Sequence, residues 1–312
     1  VTVGNKSHPI LRFLTLAALA VFAAGCVSSP APGLALADEY FNLGNTWFDL
    51  KKYDQAAKAY QKALTWNPSL KVASVNLART RAETGDPAGA LALLGPLADA
   101  DPDNLVLAQY RAWLTAKKDG AAGAADLYAA LSAKVPGDAA TQFNAGLSLK
   151  AAGRNEEAVR AWKAWKALDG KSSVGLTALA EVLTLSQSPE AAGAWLDVAA
   201  SYPEGDVKRF APLAARGKAL ATAESFAEAI QAWDAALALP AAPDQGRGEV
   251  KFLRGRVLLL KVQDLEAGSQ GVVDAWKDGY KDAAAWKALR TDPELTFATQ
   301  LEAALSAAGV SP

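Results

Sequence analysis

Small, apolar and aromatic positions recur along this chain in one register. Ala56, Ala90, Ala124 and Ala158 are spaced 34 residues apart, as are Tyr60, Leu94, Tyr128 and Trp162. Gly44, Ala78, Ala112 and Gly146 form a third column at that interval, and Pro68, Pro102 and Pro136 a fourth. Columns that share one period mark an internal repeat. The proline column supplies the punctuation, since proline cannot continue a helix. A different pattern opens the chain. Leu11 to Ala24 is an apolar run broken only by Arg12 and Thr15, preceded by Lys6 and followed by Gly25 and Cys26. It is shorter than the ~20 residues of a membrane-spanning helix and fits the apolar core of an export signal.

With its 34-residue period the chain resembles the tetratricopeptide repeat family. Residues 37–70 carry the resemblance best, through Tyr40, Leu43, Gly44, Trp47, Ala56, Tyr60, Ala63 and Pro68. Weaker copies run over 71–104, 105–138 and 139–172, with Gly170 replacing the proline in the last. A fifth, from about 173 to 204, has lost one residue before Glu190-Ala191 and Trp195. A sixth keeps Gly217, Ala229 and Trp233, and a seventh, about 248–279, only Gly255 and Ala267. The resemblance implies an all-α fold, a right-handed α-solenoid of six to seven helix pairs over 37–279. Glycine and alanine are expected where the paired helices cross, with aromatic rings filling the gaps. Residues 280–312 resemble a closing segment, with Asp292 as N-cap and Pro293 opening a helix from about 293 to 308.

The opening segment resembles a bacterial lipoprotein signal. Residues 1–25 then form the signal peptide, Cys26 is the lipidated first mature residue, and 26–36 is a tether. Ala23 stands where that motif prefers leucine. The alternative is an ordinary secretory signal with an incidental cysteine. Val27 after the cysteine favours the outer over the inner membrane of a periplasm-facing envelope protein.

Composition narrows the chemistry. The chain has a net charge of −1, and residues 1–25 hold two cations and no acid, so the remainder is more acidic still. That is not the basic profile of a nucleic-acid binder. His8 is the only histidine and Cys26 the only cysteine. The body thus lacks the residues of Cys/His zinc sites and of His-assisted nucleophiles. No cofactor, metal site or catalytic residue is expected. Glu156 and Glu157 read as helix-start acids, favoured by the dipole, rather than as an acid–base pair.

The resemblance also implies an inner groove. Its candidate residues are Phe41, Asn45 and Phe48, then Asn76 and Arg79, then Gln109, Trp113 and Lys117, and finally Phe143, Asn144 and Leu147. Asn45 and Asn76 match asparagines with which some family members clamp a peptide carboxylate. The clamp's cation positions hold Phe41, Val106 and Tyr110, so the clamp itself is not expected. The alternative is an inner face with no ligand. Trp162, Trp195 and Trp233 share one column and are read as core, whereas Trp113, on the groove side of its helix, is read either as a partner's anchor or as packing. The function expected is a membrane-anchored scaffold that binds another envelope protein or peptide. The alternative is a carrier of a small or apolar ligand for a transporter.

Overall fold

The computed structural model describes residues 32–241 and 246–311. The signal-peptide reading of 1–25, Cys26 and the first residues of the tether lie outside the described residues. The fold is all-α, and the chain divides into two compact units, 1–120 and 121–312.

The first unit stacks α1 (Pro32–Asp49) on α2 (Tyr53–Trp66), then α3 (Lys71–Glu83) on α4 (Pro87–Ala100), and ends in α5 (Leu105–Gly123). Helix α5 is broken at Gly120, whose φ of 78° and ψ of 170° are not helical. The proline column behaves as expected, because Pro68 and Pro102 both lie in the turns after α2 and α4. Asp86 caps α4, accepting from the Gly89 N–H at 2.8 Å with Pro87 in the first turn. An orphan donor is thereby satisfied where proline lacks one. One expectation needs correction. Helix α1 starts at Pro32, within the stretch read as a tether. Proline is tolerated in a first helical turn, and a Cβ at Gly33 would touch the Trp66 ring at 3.5 Å, so this turn leans on α2.

The core of the unit is the columns themselves. Ala56, Tyr60 and Leu77 are buried together, with Phe41, Trp47 and Phe48 packed around them. Ala78, Ala82, Ala90, Leu94 and Leu114 form the next cluster, flanked by Tyr110 and Trp113.

The second unit runs α6 (Ala125–Lys134), α7 (Ala139–Ala151), α8 (Asn155–Leu168), α9 (Ser173–Leu185) and α10 (Ala191–Ala200). The extra residues before the sixth repeat hold a single 3₁₀ turn, Val207–Arg209. Then come α11 (Phe210–Thr222), α12 (Phe226–Leu237), α13 (Arg247–Val257) and α14 (Leu265–Lys277). A π turn over Leu258–Val262 continues α13. Its wider winding lets three consecutive leucines, 258 to 260, all be buried, which an α-helix with 100° between neighbours does not allow on a narrow face.

Turns within the repeats share a backbone signature. Lys51, Gln187, Glu224 and Gln263 adopt φ between 50° and 61°, and Gly85 and Gly153 adopt φ of 84° and 74°. This is left-handed backbone that costs a non-glycine residue free energy.

The closing segment is two helices, α15 (Ala283–Arg290) and α16 (Ala298–Ala307). They cover the seventh repeat, burying Trp286, Leu289, Leu295, Leu301 and Leu305 against Phe252, Leu259 and Val272. The Trp286 ring meets Phe252 at 4.9 Å and Trp276 at 5.7 Å. The expected helix start at Asp292-Pro293 is not found. Asp292 spends one carboxylate oxygen on the Glu294 N–H at 3.1 Å and the other on Arg256 at 3.3 Å. This local turn competes with a helical one, and the helix opens only at Ala298. Asp282, capping the Ala284 and Ala285 N–H groups at 3.0 and 3.1 Å, starts a helix that the sequence reading did not place.

Candidate functional site

In the first unit, Phe41, Asn45 and Phe48 fall on one stripe of α1, spaced as neighbours on a helix face are. Asn45 is the hub. Its Oδ1 accepts from the Tyr60 hydroxyl at 2.8 Å and from Asn76 Nδ2 at 2.9 Å. The two asparagines are thus joined across successive repeats. The side-chain N–H groups of Asn45 and the side-chain Oδ1 of Asn76 have no hydrogen-bond partner among the described residues, whereas the Asn76 backbone carbonyl accepts from the Thr80 hydroxyl at 2.7 Å. Tyr60 links this pair to the aromatics, its ring lying 6.0 Å from that of Phe41. Burial raises the Tyr60 phenol above its ordinary pKa, so it stays a donor at neutral pH.

Beside this network the Arg79 guanidinium lies over the face of Phe48, 4.5 Å from the ring centre. On α5, Trp113 stacks on Tyr110 at 5.4 Å with 20° between the rings, and Lys117 covers Trp113 at 4.8 Å. Burial pushes the Tyr110 phenol far up, with Arg79 opposing and Glu83 adding to the shift. Neither Arg79 nor Lys117 forms an ion pair among the described residues. Cations on aromatic faces keep their charge while shielding apolar surface.

The structure therefore brings Phe41, Asn45, Phe48, Asn76 and Arg79 together, with Trp113 and Lys117 meeting on α5. Gln109 is partly buried on the same helix. Trp113 is more deeply committed than an anchor needs to be, because it packs on the Ala78, Leu94 and Leu114 cluster. Phe143, Asn144 and Leu147 lie on α7 in the second unit, partly buried. Phe143 meets Trp165 edge-on at 5.4 Å, and both rings fill the space that a side chain at Gly175 would take. The structure thus gives Phe143 a packing role between the fourth and fifth repeats.

The tryptophan column divides. Trp162 and Trp233 are buried as expected. Trp195 is partly exposed, its Nε1 donating to Thr184 Oγ1 at 2.9 Å. The physical reason is the partner position. Gly146 and Gly217 leave a notch for the indole, whereas the fifth repeat has a fully buried Ala180 and a shortened turn.

A second concavity, missed by the sequence reading, lies in the second unit between the sixth and seventh repeats. It encloses about 580 Å³. Its apolar wall is Phe226, Trp233, Leu253, Val257 and Leu260, and the turn Asp292–Pro293–Glu294 covers one side. Around its mouth Lys218 pairs with Glu249 at 2.7 Å, Arg256 with Asp292 at 3.3 Å and Lys261 with Glu294 at 2.5 Å. A signal for it did exist: Lys218 follows Gly217, and Arg256 follows Gly255, as Asn45 follows Gly44.

Comparison with known proteins fits this geometry. Residues 37–70 match the family model described as tetratricopeptide repeat. Among solved structures, a MamA RS-1 double mutant is 14% identical, with 55% of this chain and 96% of that chain covered and a TM-score of 0.50. A tetratricopeptide repeat protein from Parabacteroides merdae is 14% identical over 82% of this chain and 98% of that one, with a TM-score of 0.49. At 14% identity the likeness to the MamA structure is one of fold alone. No curated protein matches the chain in sequence. The first unit carries paired helices with amides and cation-capped aromatics beside one another. Residues 37–70 are thus a tetratricopeptide repeat by sequence, and the helix pairs that follow share its fold.

Among the described residues no helix is long and apolar enough to cross a membrane, and no group of three or more His, Cys, Asp or Glu could hold a metal ion.

Proposed function

We propose that this protein is a lipid-anchored, periplasm-facing scaffold that binds an extended segment of another envelope protein through the inner face of its first unit. It does so without catalysing a reaction. The joined pair Asn45–Asn76 is the observation that carries this reading. An asparagine pair held by Tyr60 keeps amide N–H and carbonyl groups at fixed positions, the chemistry a peptide backbone needs. Arg79 and Lys117 add positive charge outside any ion pair, lying over aromatic surface, which favours an acidic side chain beside the bound backbone. The membrane part rests on the sequence. Lys6 and Arg12, the apolar run and Ala24-Gly25-Cys26 support export and acylation, and Val27 supports the outer membrane.

Two measurements test the reading. Feeding cells a clickable fatty acid should label the protein, and Cys26→Ser should abolish the label; equal labelling of both removes the anchor. Affinity capture from the native envelope should recover a partner with the wild type. The double variant Arg79→Glu/Lys117→Glu should lose it by about tenfold or more, a change of ~1.4 kcal/mol. Both positions are exposed, so melting should not move. Equal recovery by the variant would place the interface elsewhere.

A further inference from the structure

We propose that the cavity between the sixth and seventh repeats is a separate binding site for a neutral, apolar small molecule. Three observations lead there. First, its volume of about 580 Å³ falls within the ~300–1,000 Å³ of small-molecule sites, and half of its lining residues, Phe226, Trp233, Leu253, Val257 and Leu260 among them, are apolar. Second, the wall has a specific construction. The π turn sets Leu260 and Lys261 on the cavity, and Gln263 ends it in left-handed backbone. Thr296 Oγ1 donates to Gln263 Oε1 at 2.5 Å, joining this turn to the closing segment that supplies Pro293. π turns inside helices gather at functional sites because the extra residue re-aims side chains.

Third, the charges at the mouth decide the class of ligand. Each cation already has its acid: Lys218 with Glu249, Arg256 with Asp292, Lys261 with Glu294. Lys261 also lies 5.6 Å over the Phe226 ring. The Thr222 hydroxyl donates to the Lys218 carbonyl at 3.0 Å. A carboxylate or ammonium ligand has to displace one of these pairs and leave an ion without its partner. A peptide backbone finds no uncommitted amide of the kind that Asn45 and Asn76 present in the first unit. A neutral hydrocarbon-rich molecule disturbs nothing and gains the burial of its own surface.

The test uses the full chain carrying Cys26→Ser and the neutral fluorophore N-phenylnaphthylamine. Saturable binding of one equivalent is expected, with dodecanol displacing the probe at a concentration at least about tenfold below dodecanoate. Thr222→Trp, at an exposed position on the mouth, should weaken the probe by about tenfold or more with unchanged melting. Leu253→Phe, which adds bulk to the apolar wall, serves as a second blocking variant. Absence of saturable binding overturns the proposal. So does full binding by both folded variants, dodecanoate competing better than dodecanol, or displacement of the probe by a peptide. The alcohol-against-carboxylate order is read on the unblocked chain, so it stands even where a blocking variant fails to fold. The Arg79→Glu/Lys117→Glu chain should bind the probe normally, which separates failure here from failure of the scaffold reading.

Discussion

The fourth and seventh repeats bring two helices together in opposite ways. In the fourth, a glycine on the first helix faces a large ring on the second. A methyl group at Gly146 would lie 2.3 Å from Trp162 Nε1, and the same holds at Gly217 against Trp233. In the seventh, Gly271 stands at the place of the ring. A methyl at Gly255 would meet the Gly268 carbonyl oxygen and the Val272 nitrogen, both at 2.9 Å. The first arrangement is a notch filled by a side chain; the second is backbone against backbone. The difference teaches that the small-residue column has two uses. In one it trades volume with its neighbour, and in the other no neighbour can shrink.

Removing the ring should have the largest effect. Trp162→Ala empties a fully buried site and is expected to cost about 3–5 kcal/mol in urea unfolding. A cost under about 1 kcal/mol would mean the repeat collapses around the gap and is not held by its ring. Next comes the glycine itself. Gly146→Ala should cost about 1–3 kcal/mol through overpacking, and this penalty should vanish in a Trp162→Leu background. That pair reproduces the Ala78–Leu94 combination of the second repeat. Gly255→Ala should cost a similar amount, yet Val272→Ala should not relieve it, because the obstructing atoms are backbone. Equal rescue at both crossings would erase the distinction.

The smallest effect lies on the surface of the fourth repeat. Arg154 forks onto Glu157 with two contacts of 2.7 Å and reaches Asp126 at 2.6 Å. The hydrogen bond from Arg154 holds the Glu157 carboxyl below its usual pKa. A depressed carboxyl stabilises the fold above its unfolded pKa of about 4.3 and loses that contribution as pH falls through the folded value. Glu157→Gln should therefore be slightly less stable than wild type near neutrality, and the gap in melting temperature should close on acidification. A gap that widens toward acid would assign the pair no role.

Much of this fold is legible in the sequence, because helix ends and helix crossings are local requirements. Pro68, Pro102 and Pro136 mark the turns, and Gly44 and Tyr60 betray each other by spacing alone. What depends on distant partners is not legible. Asp292 looks like a cap until Arg256 is known to hold it. Trp195 looks like Trp162 until Ala180 is seen to have closed its notch. Asn45 and Asn76 look like free amides, and only the stacking of consecutive repeats joins them. The second concavity depends on a π turn and a covering loop, neither of which follows from the period. The ring of Trp113 reads as an anchor from its position, but its burial on the second repeat ties binding and stability together there.

A left-handed residue marks the turns of every repeat but the third, whose chain instead breaks at Gly120. Side chains at that place have become lysine, glycine, glutamine or glutamate, at Lys51, Gly85, Gly153, Gln187 and Glu224, while the backbone keeps one torsion. The torsion is thus a property of the turn and not of any one residue type, although only glycine adopts it without cost. Where the residue columns fade, as in the later repeats, the twist at Gln187, Glu224 and Gln263 still marks where one helix folds back on the next.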